Sequence, residues 1–256
     1  MLKKTSLILA LSLLAVPAMA EDLTLDQIIA KNVEARGGAD AWESVKTAKI
    51  EGTMTMGGGA MTMPVSMTFE RPGKVRFEME MQGQKIVQAY DGESGWQIMP
   101  LMGSPDPQAM SEDESKNVKR QSDFEGPLYN YKEKGHSVEL EGKEEVEGTE
   151  AYKLKITLKS GDVVHTFLDT EYFLEFKQIY KVNGPTGEMV MNTMVGDYKE
   201  VGPVVLAHSM EMLAEGAPEG TGMSISFDNV EINPEVDGAI FDMPKVEEKA
   251  AAEGGR

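Results

Sequence analysis

The groups best suited to proton transfer or metal ligation are few in this chain of 256 residues. It has three histidines, His136, His165 and His208. His165 and His208 fall in segments patterned as strands, so these two could meet in space as an acid–base or metal pair, or be ordinary strand histidines. Asp91 and Glu93 are neighbouring carboxylates, but Gly92 and Gly95 place them in a turn, and carboxylates are common where 43 Asp and Glu face 25 Lys and Arg. There is no cysteine to serve as nucleophile, soft ligand or disulfide partner. The Gly-x-Ser-x-Gly, His-Glu-x-x-His, P-loop and dinucleotide-binding glycine patterns are absent. The sequence therefore predicts a binding protein rather than an enzyme, with no catalytic residue, metal ligand or cofactor assigned.

The unusual chemistry lies in the methionines, of which there are 19. Met54 and Met56 alternate with threonines. After Gly57-Gly58-Gly59, Met61, Met63, Val65, Met67 and Phe69 alternate with Thr62, Pro64, Ser66 and Thr68. Val75, Phe77, Met79 and Met81 repeat the pattern against Arg76, Glu78 and Glu80. A period of two sets each group on one face of a strand. That face has three readings. It is a packed methionine-rich core; or a cavity for flexible chains, since methionine is unbranched and adaptable; or a Cu(I) site, since thioethers are soft donors and Met-x-Met pairs present two of them. The intervening threonines add no soft ligand and no histidine lies nearby, which counts against copper. The candidate cavity-lining set is Met54, Met56, Met61, Met63, Met67, Phe69, Phe77, Met79, Met81 and Trp96.

These residues need a β scaffold, and the pattern supplies one. Thr24 and Gln27 can form a capping box for a helix over 24–36, with Leu25, Ile28, Ile29 and Val33 on one face and Gly37-Gly38 as its stop. A short helical turn carries Ala41 and Trp42. From Thr47 the period changes to two and persists through successive hairpins to Trp96–Met99. Residues 100–107 read as a loop and 112–124 as a polar helix ended by Gly126-Pro127. Strands resume with Tyr152, Leu154, Ile156 and Leu158, then near 162–169, 172–182, 187–199, 203–213 and 222–232. Many strands joined by short turns predict an antiparallel meander in a single domain over 21–244, with a disordered tail over 245–256.

The first residues read as an export leader, 1–20. Lys3 and Lys4 precede an apolar run, Leu7 to Val16, too short to span a bilayer, and Ala18-Met19-Ala20 offers a cleavage site before Glu21. Net charge is −18, and loss of the two lysines makes it more negative. Such a surface repels nucleic acid and anionic lipid headgroups. A monomer released outside the cytoplasm is expected.

At Phe69-Glu70-Arg71-Pro72, followed by Val75-Arg76-Phe77-Glu78, the chain resembles the LolA-like outer-membrane lipoprotein-sorting family. Tyr90-Asp91-Gly92-Glu93-Ser94-Gly95-Trp96-Gln97-Ile98-Met99-Pro100 is similar to that family's Asp-Gly-x-x-x-Trp-x-x-x-Pro turn and strand. The stretch Tyr152 to Phe176 and the ending Phe227-Asp228-Asn229-Val230 through Asn233 to Phe241 and Pro244 are similar as well. Residues 101–150 and the methionine hairpin match no family feature, and the chain is longer than typical members. The resemblance implies a mainly β fold, an incomplete antiparallel β-barrel wrapped around a hydrophobic cavity with helical lid segments. It implies a periplasmic carrier or chaperone of lipid or lipoprotein acyl chains, handing them from an inner-membrane donor to an outer-membrane acceptor. It also implies that Arg71 latches the lid through hydrogen bonds to lid backbone; without the resemblance Arg71 is an exposed strand-end arginine. Envelope-stress sensors share the fold, so a sensor or interaction module is the alternative, as is the methionine-rich Cu(I) protein.

Overall fold

A computed structural model describes residues 22–184 and 187–245. The leader and nearly all of the tail lie outside the described residues. Helix α1 (Leu25–Ala35) begins at the expected capping box: Gln27 N donates to Thr24 Oγ1 at 3.3 Å and Thr24 N donates to Gln27 Oε1 at 2.8 Å. Helix α2 (Ala39–Ser44) buries Trp42, whose Nε1 donates to Arg36 O at 3.0 Å. Gly37 between them has φ +108°, and a Cβ there would lie 2.4 Å from Pro203 O. Only glycine lets the helix end press against the turn at Pro203.

Thirteen strands follow, in one antiparallel sheet. The first six are β1 (Thr47–Met56), β2 (Met61–Glu70), β3 (Lys74–Met81), β4 (Gln84–Tyr90), β5 (Gly95–Met99) and β6 (Ser104–Ala109). Helix α3 (Glu112–Gln121) and an irregular segment lead to β7 (Ser137–Val146), β8 (Thr149–Thr157), β9 (Val163–Asp169), β10 (Glu175–Gly184), β11 (Gly187–Val201), β12 (Val204–Ala214) and β13 (Met223–Ile232). In space the order runs from β6 down to β1, then from β13 down to β7. The first and last strands are paired, from Ala48 opposite Ile232 to Met56 opposite Met223. The seam therefore falls between β6 and β7, and the sheet is a barrel left open there, the architecture the resemblance implies.

Both seam strands depart from the sequence reading. Residues 104–109, of which 104–107 read as loop, pair with β5. Pro105 and Pro107 are tolerated because an edge strand has one side that needs no N–H donor. Strand β7 was not expected at all. After Val138 and Leu140 its residues are mostly charged, and its glutamates meet lysines of β8: Glu139–Lys155 at 3.4 Å, Glu141–Lys153 at 3.7 Å and Glu144–Lys153 at 3.5 Å. Charge on an edge discourages pairing with another chain.

The helices pack on the inner face. There α1 covers Leu154, Ile156 and Leu168; α2 covers Val204 and Leu206; and Val118 of α3 joins Phe69, Val75 and Tyr90. The outer face of β3–β5 is covered differently. After β13 the chain crosses back as a strap over 234–244. Arg76 Nη1 donates to Ile240 O at 2.7 Å and Trp96 Nε1 to Phe241 O at 2.6 Å. Phe241 is fully buried. Phe241→Ala should cost about 3–5 kcal/mol of stability, the range for deleting a buried aromatic ring. Urea unfolding monitored by tryptophan fluorescence would show it as a lowered midpoint at unchanged slope.

Candidate binding site

Register decides which predicted residues meet. Met54 lies opposite Met63, Met56 opposite Met61, Ile50 opposite Met67 and Ala48 opposite Phe69. Phe77 then faces Met67, and Met79 faces Val65. Met81 continues the same side of β3 opposite Gln84. All these share the inner face. Trp96 does not. It pairs with Ala89, which faces Arg76, so it stands on the outer face with Val87, beneath the strap. Alternation along β5 marks a buried side of that strand but does not say which side of the sheet it is.

The fold adds residues from the other end of the chain. Met223 faces Met56 and Ile225 faces Met54. Met212 in turn faces Met223, and Met210 faces Ile225. One transverse row crosses the inner face from β7 to β2: Leu140, Leu154, Thr166, Gln178, Thr193, Met212, Met223, Met56 and Met61. It passes from leucine through a polar middle into methionine. The methionine part is not sealed. Met54 and Met63 are buried, at 7% and 4% exposure, but Met61 is 46% exposed and Met56, Met67, Phe77, Met79, Met81, Met212 and Met223 are half-buried.

Helix α3 lies over this face. It is polar, and a capping box between Ser111 and Glu114 starts it. Val118 is its buried residue. Lys119 Nζ sits 5.9 Å from the Tyr90 ring centroid on β4, and the Arg120 guanidinium 5.0 Å from that of Tyr180 on β10. The helix thus touches both halves of the sheet. Phe124 follows, 5.0 Å from the Phe69 ring and 5.6 Å from Trp42.

Glu125 is the hub of the contacts that hold this lid. Its carboxylate pairs with Arg71 and, at 3.2 Å, with Lys134. Its carbonyl accepts from Arg36 Nη1 at 2.6 Å. Lys134 also reaches Asp123 at 2.5 Å and Gly126 O at 2.8 Å. Arg71 therefore reaches the lid through a side-chain carboxylate, and the bond to lid backbone is made by Arg36, which nothing in the residue pattern marks beyond its place at the helix end. Burial raises the Asp123 pKa, although Lys134 opposes the shift.

A second polar group lies where α1 ends. Dense packing pushes Glu175 up to about 7, opposed by Arg36 and by the Gln178 amide. Tyr198 donates its hydroxyl to Glu175 O at 2.6 Å, and burial raises its own pKa.

The histidines are not brought together. His165 on β9 and His208 on β12 have β10 and β11 between them. His208 Nδ1 lies 3.0 Å from Leu206 O, and His136 Nδ1 accepts from Lys159 N at 3.0 Å. Asp91 serves its turn, accepting from the amides of Glu93 at 2.8 Å and Ser94 at 2.7 Å. Among the described residues no cluster of three or more His, Asp or Glu is placed to hold a metal ion, and no helix is long and apolar enough to cross a membrane.

The open thirteen-stranded sheet with its inner helices is a LolA-like fold. A LolA superfamily protein from Nitrosomonas europaea superposes with a TM-score of 0.59 at 11% identity, over 86% of this chain and 98% of its own. An outer membrane lipoprotein-sorting protein domain from Vibrio parahaemolyticus gives 0.53 at 13% identity, over 84% and 94%. A DUF1329 family protein from Desulfovibrio piger gives 0.52 at 14% identity, over 85% and 97%. No protein-family model matches the sequence, and no curated protein matches it significantly.

The raised Glu175 pKa has a consequence for stability. Between its ordinary value of 4.5 and about 7 the folded protein holds a proton that the unfolded chain has released. Stability from this group is therefore full below 4.5 and declines as pH rises through that window, with Asp123 acting in the same sense. Urea midpoints measured from pH 4.5 to 7.5 should show the decline, and Glu175→Gln should flatten it.

Proposed function

We propose that the protein is an extracytoplasmic, non-enzymatic carrier of lipid acyl chains, free or attached to lipoproteins, which it holds against the inner methionine face. The observation that carries this reading is a continuous apolar face left half-exposed beneath a polar, ion-paired lid. An acyl chain exposed to water costs about 0.8 kcal/mol per methylene, so roughly fifteen methylenes cost on the order of 12 kcal/mol. A methionine surface adapts to chains of varied shape at little packing cost. Shared fold with a lipoprotein-sorting domain supports acyl chains as the cargo class. The export leader expected over 1–20 and the lipoprotein-sorting neighbour support a periplasmic setting, and the family resemblance supports a donor at the inner membrane and an acceptor at the outer. The acidic surface, at net charge −18, disfavours nucleic acid and adsorption to anionic bilayers.

Met67 sits mid-face between Ile50 and Phe77. Met67→Glu should abolish binding of a fluorescent fatty acid while the circular dichroism spectrum stays unchanged. Undiminished binding would move the site elsewhere. Arg71→Leu removes one of the ties on Glu125 and should speed both uptake and release of the same probe several-fold in stopped-flow mixing. Unaltered rates would show that the lid opens without breaking that pair.

A further inference from the structure

The methionine end of the inner face has a chemistry that acyl binding does not use. Met56 lies directly opposite Met61 on one side and Met223 on the other, and Met223 lies opposite Met212. Four thioethers from four adjacent strands thus stand at one level. Two of these strands come from the far end of the chain, so the sequence spacing shows only the Met54/Met56 and Met61/Met63 pairs. Directly paired side chains sit about 5 Å apart at Cβ. Methionine has three rotatable bonds beyond the backbone, so three sulfurs can swing to one point above Met56. Met54, Met63 and Met210 form a second level one pleat further along the strands. The register is held by a close approach: a Cβ at Gly222 would lie 2.4 Å from Met212 O, so glycine is needed where β13 starts beside β12.

We infer that this row, Met61, Met56, Met223 and Met212, is a binding site for Cu(I). Thioether sulfur is a soft, uncharged donor that selects Cu(I) and the chemically similar Ag(I) over hard divalent cations. The cross-strand partners at the two levels are methionine, isoleucine, valine and threonine, so no carboxylate or imidazole competes to hold zinc, calcium or magnesium there. Met61, 46% exposed, gives the ion a way in. The net charge of −18 raises the local concentration of cations. The site shares the inner face with the carrier reading but rests on the sulfur alone, since leucine at these positions would keep the face apolar.

The test is anaerobic titration of the purified full chain with Cu(I) in competition with bicinchoninate. One Cu(I) per chain is expected, with a sulfur-only first shell in X-ray absorption. Met56→Leu combined with Met223→Leu should weaken Cu(I) binding at least 100-fold while the circular dichroism spectrum stays unchanged. Met102→Leu, on an exposed turn, should leave Cu(I) uptake unchanged. The unmodified protein supplies a readout that no folding defect can confuse. With its methionine methyls labelled with ¹³C, Ag(I) should shift Met56, Met61, Met212 and Met223 and leave the exposed Met102 and Met243 in place. Uptake no greater than that of the double leucine variant, shifts confined to exposed methionines, or a first shell of nitrogen or oxygen would overturn the site. Cu(I) uptake intact in the leucine variant would overturn the metal site and leave the carrier reading standing.

Discussion

The rest of the structure depends on the pairing of β1 with β13. A meander of this many strands could open anywhere. Pairing its first strand with its last places the opening in mid-chain, between β6 and β7. The segment that connects those two edges carries α3 and the lid residues that follow, and α3 packs on the inner face against β3, β4 and β5. The lid is thus tethered covalently to both edges of the sheet. The same pairing brings Met212 and Met223 level with Met56 and Met61, so the methionine face is a product of long-range closure and not of one hairpin. Closing so long a loop costs little more entropy than closing a short one, because the cost grows only with the logarithm of length.

Sheet and lid are held by different forces. The sheet has continuous ladders and buried apolar clusters on its inner side. The lid has Val118 and the aromatic contacts of Phe124 as apolar anchors, and otherwise ion pairs converging on Glu125. The side chains of Arg71, Lys134 and Glu125 are 31%, 21% and 15% exposed, so these pairs are partly shielded from water. Each is worth more than a free surface pair, yet far less than the buried strands beneath. Segments held by few apolar contacts open at lower free energy than the whole domain unfolds. Arg36 at the end of α1, Arg71 after β2 and Lys134 before β7 all converge on one residue, Glu125.

Much of this was legible in the residues because period and caps have local causes. The Thr24 box, the stop at Gly37-Gly38 and the alternation from Thr47 onward are set within a few residues, and the structure follows them. The edge strands were illegible for a physical reason. A strand paired on one side needs neither full apolar alternation nor every N–H, so β6 could carry two prolines and β7 a run of glutamates. Trp96 shows a second limit: period two separates the faces of one strand, while the sense of that face is fixed by pairing with Ala89. The lid contacts lie in a polar stretch without period, where nothing marks Glu125 or Lys134 as partners of Arg71.

The two faces of the sheet offer an internal comparison that bears on the methionines. Where this protein buries apolar surface for stability, it seals it. Under the strap, Val87, Ala89, Trp96 and Phe241 are at most 2% exposed, and the two backbone carbonyls there satisfy Arg76 and Trp96. On the inner face the same chain leaves Met61 nearly half exposed and a broad run of methionines half-buried, and the helix that packs on that face, beside Phe69, Val75 and Tyr90, is polar. A packed core built from the same residues would draw an apolar helix over them and gain roughly 25 cal/mol for each square ångström covered. α3 forgoes most of that gain by presenting a single valine. A half-exposed face beside a sealed one, in one sheet, is the contrast on which the proposed binding role rests.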